Sequence, residues 1–205
     1  MLRRLTQRAG FALLEARPVS PVPLPAERWT SLTCLARLPD DVADRVAETV
    51  RGWPGAEDHH VYPATALHVT LLNLGEIDGD DDAFAHVIEL LAQTRPVPLV
   101  LKGIGVTSHS VFLRAYDQTG RLGVLRRQLI GVTGGRPEWP RRRLAFANVL
   151  RFRSIDAAPV INAARATRFG PAEVVLDRAE IVRTDRLFSR PATTVLREVR
   201  FRTSS

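Results

Sequence analysis

Cysteine occurs once in this chain, at Cys34, so no intramolecular disulfide and no cysteine-based metal site can be assembled. Long apolar runs are missing too: no stretch approaches the roughly 20 residues a membrane-spanning helix needs. Arg3, Arg4 and Arg8 lead into Phe11-Ala-Leu-Leu, too short and too poorly flanked for a secretory signal, and a cytoplasmic location is the expectation. Lysine is nearly absent. With Lys102 the single instance, arginine carries the basic balance of 29 Lys and Arg against 22 Asp and Glu, net +7. Part of that usage reflects genome composition. Even so, the charge favours an anionic partner such as RNA or a nucleotide, and the arginine fork suits phosphate.

What is present is an ordinary globular mixture, 45% hydrophobic and 25% charged over 205 residues, enough for one domain or two small lobes sharing a core. Pro18-Val-Ser-Pro-Val-Pro-Leu-Pro25 can be neither helix nor central strand, because each proline fixes φ and removes a donor. Residues 1–27 are therefore expected to form an extended or loosely packed arm, and 28–205 the domain. Within the domain the pattern predicts a strand near 29–38. A helix capped by Asp40 or Asp41 then carries Val42, Val46 and Val50, and a loop covers 52–63. Leu67 to Leu74 alternates as a strand, and Phe84, Val87, Ile88 and Leu91 mark one helix face. Strands at 98–106 and 111–116 enclose a turn, and Leu122, Leu125 and Leu129 mark another helix. A strand at 144–152, a helix near 157–168 and strands near 172–184 and 193–202 complete the chain. The alternation without parallel βαβ glycine motifs favours an α+β fold.

The chain also repeats itself. Leu67-His-Val-Thr-Leu-Leu-Asn-Leu-Gly-Glu-Ile-Asp78 aligns without a gap on Ala145-Phe-Ala-Asn-Val-Leu-Arg-Phe-Arg-Ser-Ile-Asp156, placing His68 over Phe146. Each copy continues through a helix to Pro96-Val-Pro-Leu-Val-Leu or Pro171-Ala-Glu-Val-Val-Leu, giving pseudo-repeated lobes around 67–106 and 145–181. Two antiparallel lobes flanking a central cleft are expected. The run Asp78, Asp80, Asp82 and Glu89 imitates a calcium loop, but Ala83 stands where the turn needs glycine. Carboxylates complementing a helix N-terminus explain it better.

In a strand, residues i and i+2 share a face, so Leu67, Val69 and Leu71 point to the core while His68 and Thr70 look out together. An imidazole can move a proton near neutral pH, and a hydroxyl two residues on can donate to a phosphate oxygen. That is half of a phosphoryl-transfer site needing neither metal nor cofactor. The setting Tyr62-Pro-Ala-Thr-Ala-Leu-His-Val-Thr-Leu-Leu-Asn-Leu-Gly75 resembles the first signature of the 2H phosphoesterase superfamily, which includes 2'-5' RNA ligases and 2',3'-cyclic phosphodiesterases. The resemblance extends over about residues 29–202. In that family two His-x-Thr/Ser motifs, one per lobe, face each other across a cleft, one histidine acting as base and the other as acid. It implies a bilobal fold, His68 and Thr70 as catalytic residues, no cofactor, and a soluble monomer acting on RNA ends or nucleotides with a cyclic phosphate.

The second motif departs from the family. Phe146 stands at the second histidine and Asn148 at its hydroxyl partner. Phenylalanine transfers no proton, whereas Asn148 can donate its amide to a phosphate oxygen, and Arg151 or the Arg141–Arg143 run can add charge. Three readings stay open: a one-histidine enzyme, a pseudoenzyme that binds RNA ends or nucleotides, or an enzyme whose second histidine comes from elsewhere. For the last, His109 in the hairpin turn is the leading candidate, and as a residue near the substrate. His59 and His60 are the others, and His86 is expected on the surface.

Overall fold

A computed structural model describes residues 2–16, 19–23, 31–75, 82–133, 144–185, 187–188 and 192–202. Its elements run α1 (Leu2–Glu15), β1 (Ser31–Arg37), α2 (Asp40–Arg51), β2 (His60–Val61), β3 (His68–Gly75), α3 (Asp82–Gln93), β4 (Val97–Val106), β5 (Ser110–Asp117), α4 (Arg121–Thr133), β6 (Ala145–Arg151), α5 (Ala158–Ala166), β7 (Ala172–Leu176), β8 (Arg178–Thr184) and β9 (Thr194–Arg200). Strands order as β3-β1-β8-β9 in one sheet and β2-β6-β5-β4-β7 in the other, every pairing antiparallel. The expected α+β architecture of paired antiparallel sheets is the one found, and one apolar core joins the inner face of both sheets to the helices.

Each element follows from its pattern. On α2, Val42, Val46 and Val50 turn inward with Ala43 and Ala47, each valine stabilising by roughly 1.5–3 kcal/mol relative to exposure. Pro39, rather than either aspartate, occupies its N-cap position. Pro39 presents its carbonyl to the amides of Val42 and Ala43, while Asp40 and Asp41 sit in the first turn, where they complement the helix dipole.

The amino-terminal segment differs from the extended or loosely packed arm expected of it. The proline run says nothing about the proline-free stretch before it, and Leu2–Glu15 is rich in leucine, arginine and alanine, all good helix formers. Helix α1 docks through Phe11, 2% exposed, in a small second core with Phe112 and Leu144, against which Leu14, Tyr116 and Phe146 pack.

The duplication extends to the strand registers. Arg37 lies opposite His68 and Leu35 opposite Thr70; Arg114 lies opposite Phe146 and Phe112 opposite Asn148. Both pairings skip one residue at the same place, Leu71 in β3 and Val149 in β6, so even the bulge occurs twice. Strand β8 then pairs with β1 as β4 pairs with β5: Glu180 faces Leu35, and Gly105 faces Phe112. The order β1-α2-β3-α3-β4 thus recurs as β5-α4-β6-α5-β7-β8. The copies meet where β4 pairs with β7, Val97 opposite Leu176 and Leu101 opposite Ala172. That arrangement sets Leu99 against Val174, its own equivalent, as a local two-fold axis requires.

Candidate active site

Strand β3 opens on His68. Leu67, Val69 and Leu71 are buried in the core as expected, and Thr70 is half-buried on the other face. His68 itself is only 4% exposed, more enclosed than a group lining an open cleft. The Phe188 ring lies against the imidazole, centroids 4.2 Å apart. His68 Nδ1 is 2.7 Å from the Ala66 carbonyl oxygen. A carbonyl oxygen only accepts, so Nδ1 carries the proton and Nε2 keeps its lone pair. Burial pushes the imidazole down to about 4, the Ala66 bond opposing this and the Arg37 and Arg151 guanidinium charges adding to it. The ring is therefore neutral at physiological pH and presents a base.

Two arginines frame it. Arg37, opposite His68 in register, is tied to Glu180 at 2.8 Å and donates to the Thr65 carbonyl at 2.7 Å. Arg151, on β6 opposite His60, donates from Nε to the Tyr62 hydroxyl at 3.4 Å. Among the described residues no carboxylate pairs with Arg151, which leaves its charge available to an anion. Asn148 is half-buried, and its Oδ1 is enclosed with no hydrogen-bond partner among the described residues.

The motif strands are joined by a residue that the sequence reading missed. Arg126 of α4, 7% exposed, donates to the Leu71 carbonyl at 3.1 Å, the Thr70 carbonyl at 2.5 Å and the Leu144 carbonyl at 2.7 Å. One guanidinium thus holds the β3 bulge and the entry to β6. A signal was available, since Arg126 takes the i+4 place in the stripe of Leu122, Leu125 and Leu129.

The other histidines are placed as follows. His109 is exposed in the β4–β5 turn, and its imidazole makes no hydrogen bond among the described residues. His59 is buried edge-on to Phe152, rings 5.5 Å apart, with Nε2 unpartnered among the described residues; burial lowers its pKa. His60 is bonded on both ring nitrogens, to the Leu187 carbonyl at 3.1 Å and Arg153 at 3.2 Å. His86 is exposed, as expected. Arg141–Arg143 and Asp78–Asp81 lie outside the described residues, and the described residues contain no cluster of three His, Cys, Asp or Glu that could hold a metal.

At the second motif an aromatic ring stands in place of the imidazole. Phe146, the equivalent of His68, packs on Phe112 at 5.1 Å between centroids. A family model described as the 2'-5' RNA ligase superfamily matches residues 38–187, most of the chain and both motif strands. This chain belongs to the 2'-5' RNA ligase superfamily. As a member it shares the fold of E. coli LigT complexed with ATP (TM-score 0.59, 20% identity, covering 85% of this chain and 99% of that one). TT0787 of Thermus thermophilus is similarly related (TM-score 0.63, 21% identity, 83% and 97%). So is a structure described only as a phosphoesterase (TM-score 0.61, 18% identity, 86% and 100%). No curated protein matches by sequence. The relationship to the 2H phosphoesterases implied by the first motif is thus shown, and no helix among the described residues is long and apolar enough to cross a membrane.

Proposed function

We propose that this member of the superfamily hydrolyses or forms phosphodiesters at RNA termini, with 2',3'-cyclic phosphates as the substrate class and His68 as the general base. The observation that carries the reading is the tautomer of His68. The Ala66 bond fixes the proton on Nδ1, and burial keeps the ring neutral, so Nε2 is a ready acceptor on the strand face that Thr70 shares. In hydrolysis, Nε2 takes a proton from water as the water oxygen attacks phosphorus. The bond from phosphorus to one ribose oxygen breaks, and that oxygen takes up a proton from solvent or from His68. The Thr70 hydroxyl, the Asn148 amide and the Arg151 guanidinium are the groups assigned to hold the phosphate oxygens. LigT has been crystallised with ATP, phosphate and 3'-AMP, nucleotides and an anion that share the phosphate group this reading assigns to the site.

A second reading, a binding protein without turnover, is favoured by Phe146 and its aromatic packing, which leave no second imidazole to protonate the leaving oxygen. One experiment separates the two: hydrolysis of 2',3'-cyclic nucleotides by wild type and His68→Ala. Loss of a general base lowers turnover by about 10²–10⁴-fold. Turnover unchanged in His68→Ala sinks the assignment. Absent turnover in the wild type, with retained binding of cyclic-phosphate RNA ends, selects the binding reading.

A further inference from the structure

Superposing the two halves through their registers shows where α1 lies. In the first half, Arg37 stands beside the His68 position and takes its carboxylate from Glu180 of β8. In the second half its equivalent is Arg114, and the β4 residue corresponding to Glu180 is Gly105, which has no side chain to offer. The carboxylate that Arg114 receives comes from α1: Glu15 accepts from Nε at 2.8 Å and from Nη2 at 2.5 Å. The fit leaves no room for a side chain at position 105. A Cβ there would lie 2.5 Å from Glu15 Oε1 and would collide with the Phe112 ring.

The rest of α1 lies on the same face. Phe11 stacks on Phe112 with centroids 6.0 Å apart and meets Tyr116 edge-on at 5.5 Å, while Phe112 continues onto Phe146. Gly10 rests against Leu144, which directly precedes the second motif strand. Phe112 faces Asn148 and Arg114 faces Phe146, so the helix covers the Phe146 end of the face on which the second motif presents its side chains. The corresponding face of the first half carries His68 and Thr70.

We propose that α1 is a built-in occupant of the second half-site and sets which substrates are admitted. The ligand engages the His68 half and reaches the second strand only at its Asn148 end, as a terminal or cyclic phosphate presented from one side. A strand laid across both halves is excluded, because α1 already fills the ground it would cover. This rests on the reading of the His68 half as a phosphate site, and it adds that Phe11 and Glu15 are specificity determinants although neither touches the reacting atoms.

The test compares a 2',3'-cyclic mononucleotide with a single-stranded oligonucleotide ending in a 2',3'-cyclic phosphate. Binding to the full chain is measured for wild type, Phe11→Ala and Glu15→Arg, the last placing a cation against Arg114. Limited trypsin digestion after Arg8, a site common to all three proteins, reports release of the helix, and near-UV circular dichroism reports an intact core. The expected result is faster cleavage within α1 in the variants and an oligonucleotide affinity raised at least tenfold, with mononucleotide affinity within a factor of three. An unchanged affinity ratio in a variant whose α1 is cleaved faster and whose core is intact overturns the proposal, as does an α1 that neither substitution exposes. If neither ligand binds wild type or variants at all, it is the phosphate-site reading beneath it that fails. If His68→Ala in the Glu15→Arg background leaves turnover unchanged while the oligonucleotide gain persists, the base assignment fails and α1 keeps its role.

Discussion

Acidification tests the His68 geometry through stability. The ring is held near about 4 in the fold against 6.5 for a free imidazole. The unfolded chain therefore binds the proton first as pH falls, and stability drops with it. Sign and window follow: the contribution is intact above about pH 6.5, declines below it, and is lost by about pH 4. Linkage gives roughly 2 kcal/mol lost at about pH 5 and roughly 3 kcal/mol at about pH 4. His59 and His60 are also lowered by burial and add losses of the same sign, so the wild type alone does not isolate the term. The comparison with His68→Gln does, since the other histidines are common to both proteins. Urea unfolding followed by tryptophan fluorescence at about pH 7.5, 6 and 5 should show the wild type losing about 2 kcal/mol more than the variant over that range. Parallel curves would refute both the burial and the neutral tautomer on which the base assignment stands. Activity gives an independent check: the acid limb of kcat/KM should inflect near pH 4, not near 6.5.

Arg126→Met leaves the Thr70, Leu71 and Leu144 carbonyls without their shared donor, and a loss of about 2–4 kcal/mol is expected in denaturant unfolding. Arg126→Lys should recover only a minor part, because a point ammonium does not span three divergent carbonyls as a fork does. Cys34 is fully buried with its thiol pushed up to about 12 by desolvation, so Ellman's reagent should find no thiol in the native protein and one in urea. Phe146→His should raise turnover less than tenfold, because the new imidazole packs against Phe112 beneath α1. Combined with Glu15→Arg, the gain should be larger, as read in the cyclic-nucleotide assay.

The strands and helices were readable wherever the core imposed a period. The apolar positions of Leu67 to Leu74, whose phase slips at the Leu71 bulge, and the spacing of Val42, Val46 and Val50 follow burial, and burial is what makes these elements form. The repeat was readable too, because the two copies solve the same packing problem with the same bulge. Besides Arg126, two features escaped. Helix α1 was hidden by the prolines after it, and its docking depends on the bare backbone of Gly105, which has meaning only against Glu15 and Phe112. The enclosure of His68 depends on Phe188, 120 positions away along the chain (188 − 68), and no local pattern encodes that contact.

Phe146 reads differently once α1 is in view. Taken alone, it is a catalytic position that has lost its group. Packed on Phe112, itself stacked under Phe11, it is part of a small aromatic core where an imidazole would be desolvated, with the Arg114 cation facing it in register. A histidine there would surrender apolar contact and either go unprotonated or cost more to charge. Phenylalanine suits the site because the helix is present, and Glu15 suits Arg114 because Gly105 supplies no carboxylate. The three departures from internal symmetry, at positions 105 and 146 and in the added helix, are therefore one structural change. What remains symmetric, the registers, the bulge and the paired arginines, is the scaffold on which His68 and Thr70 are held.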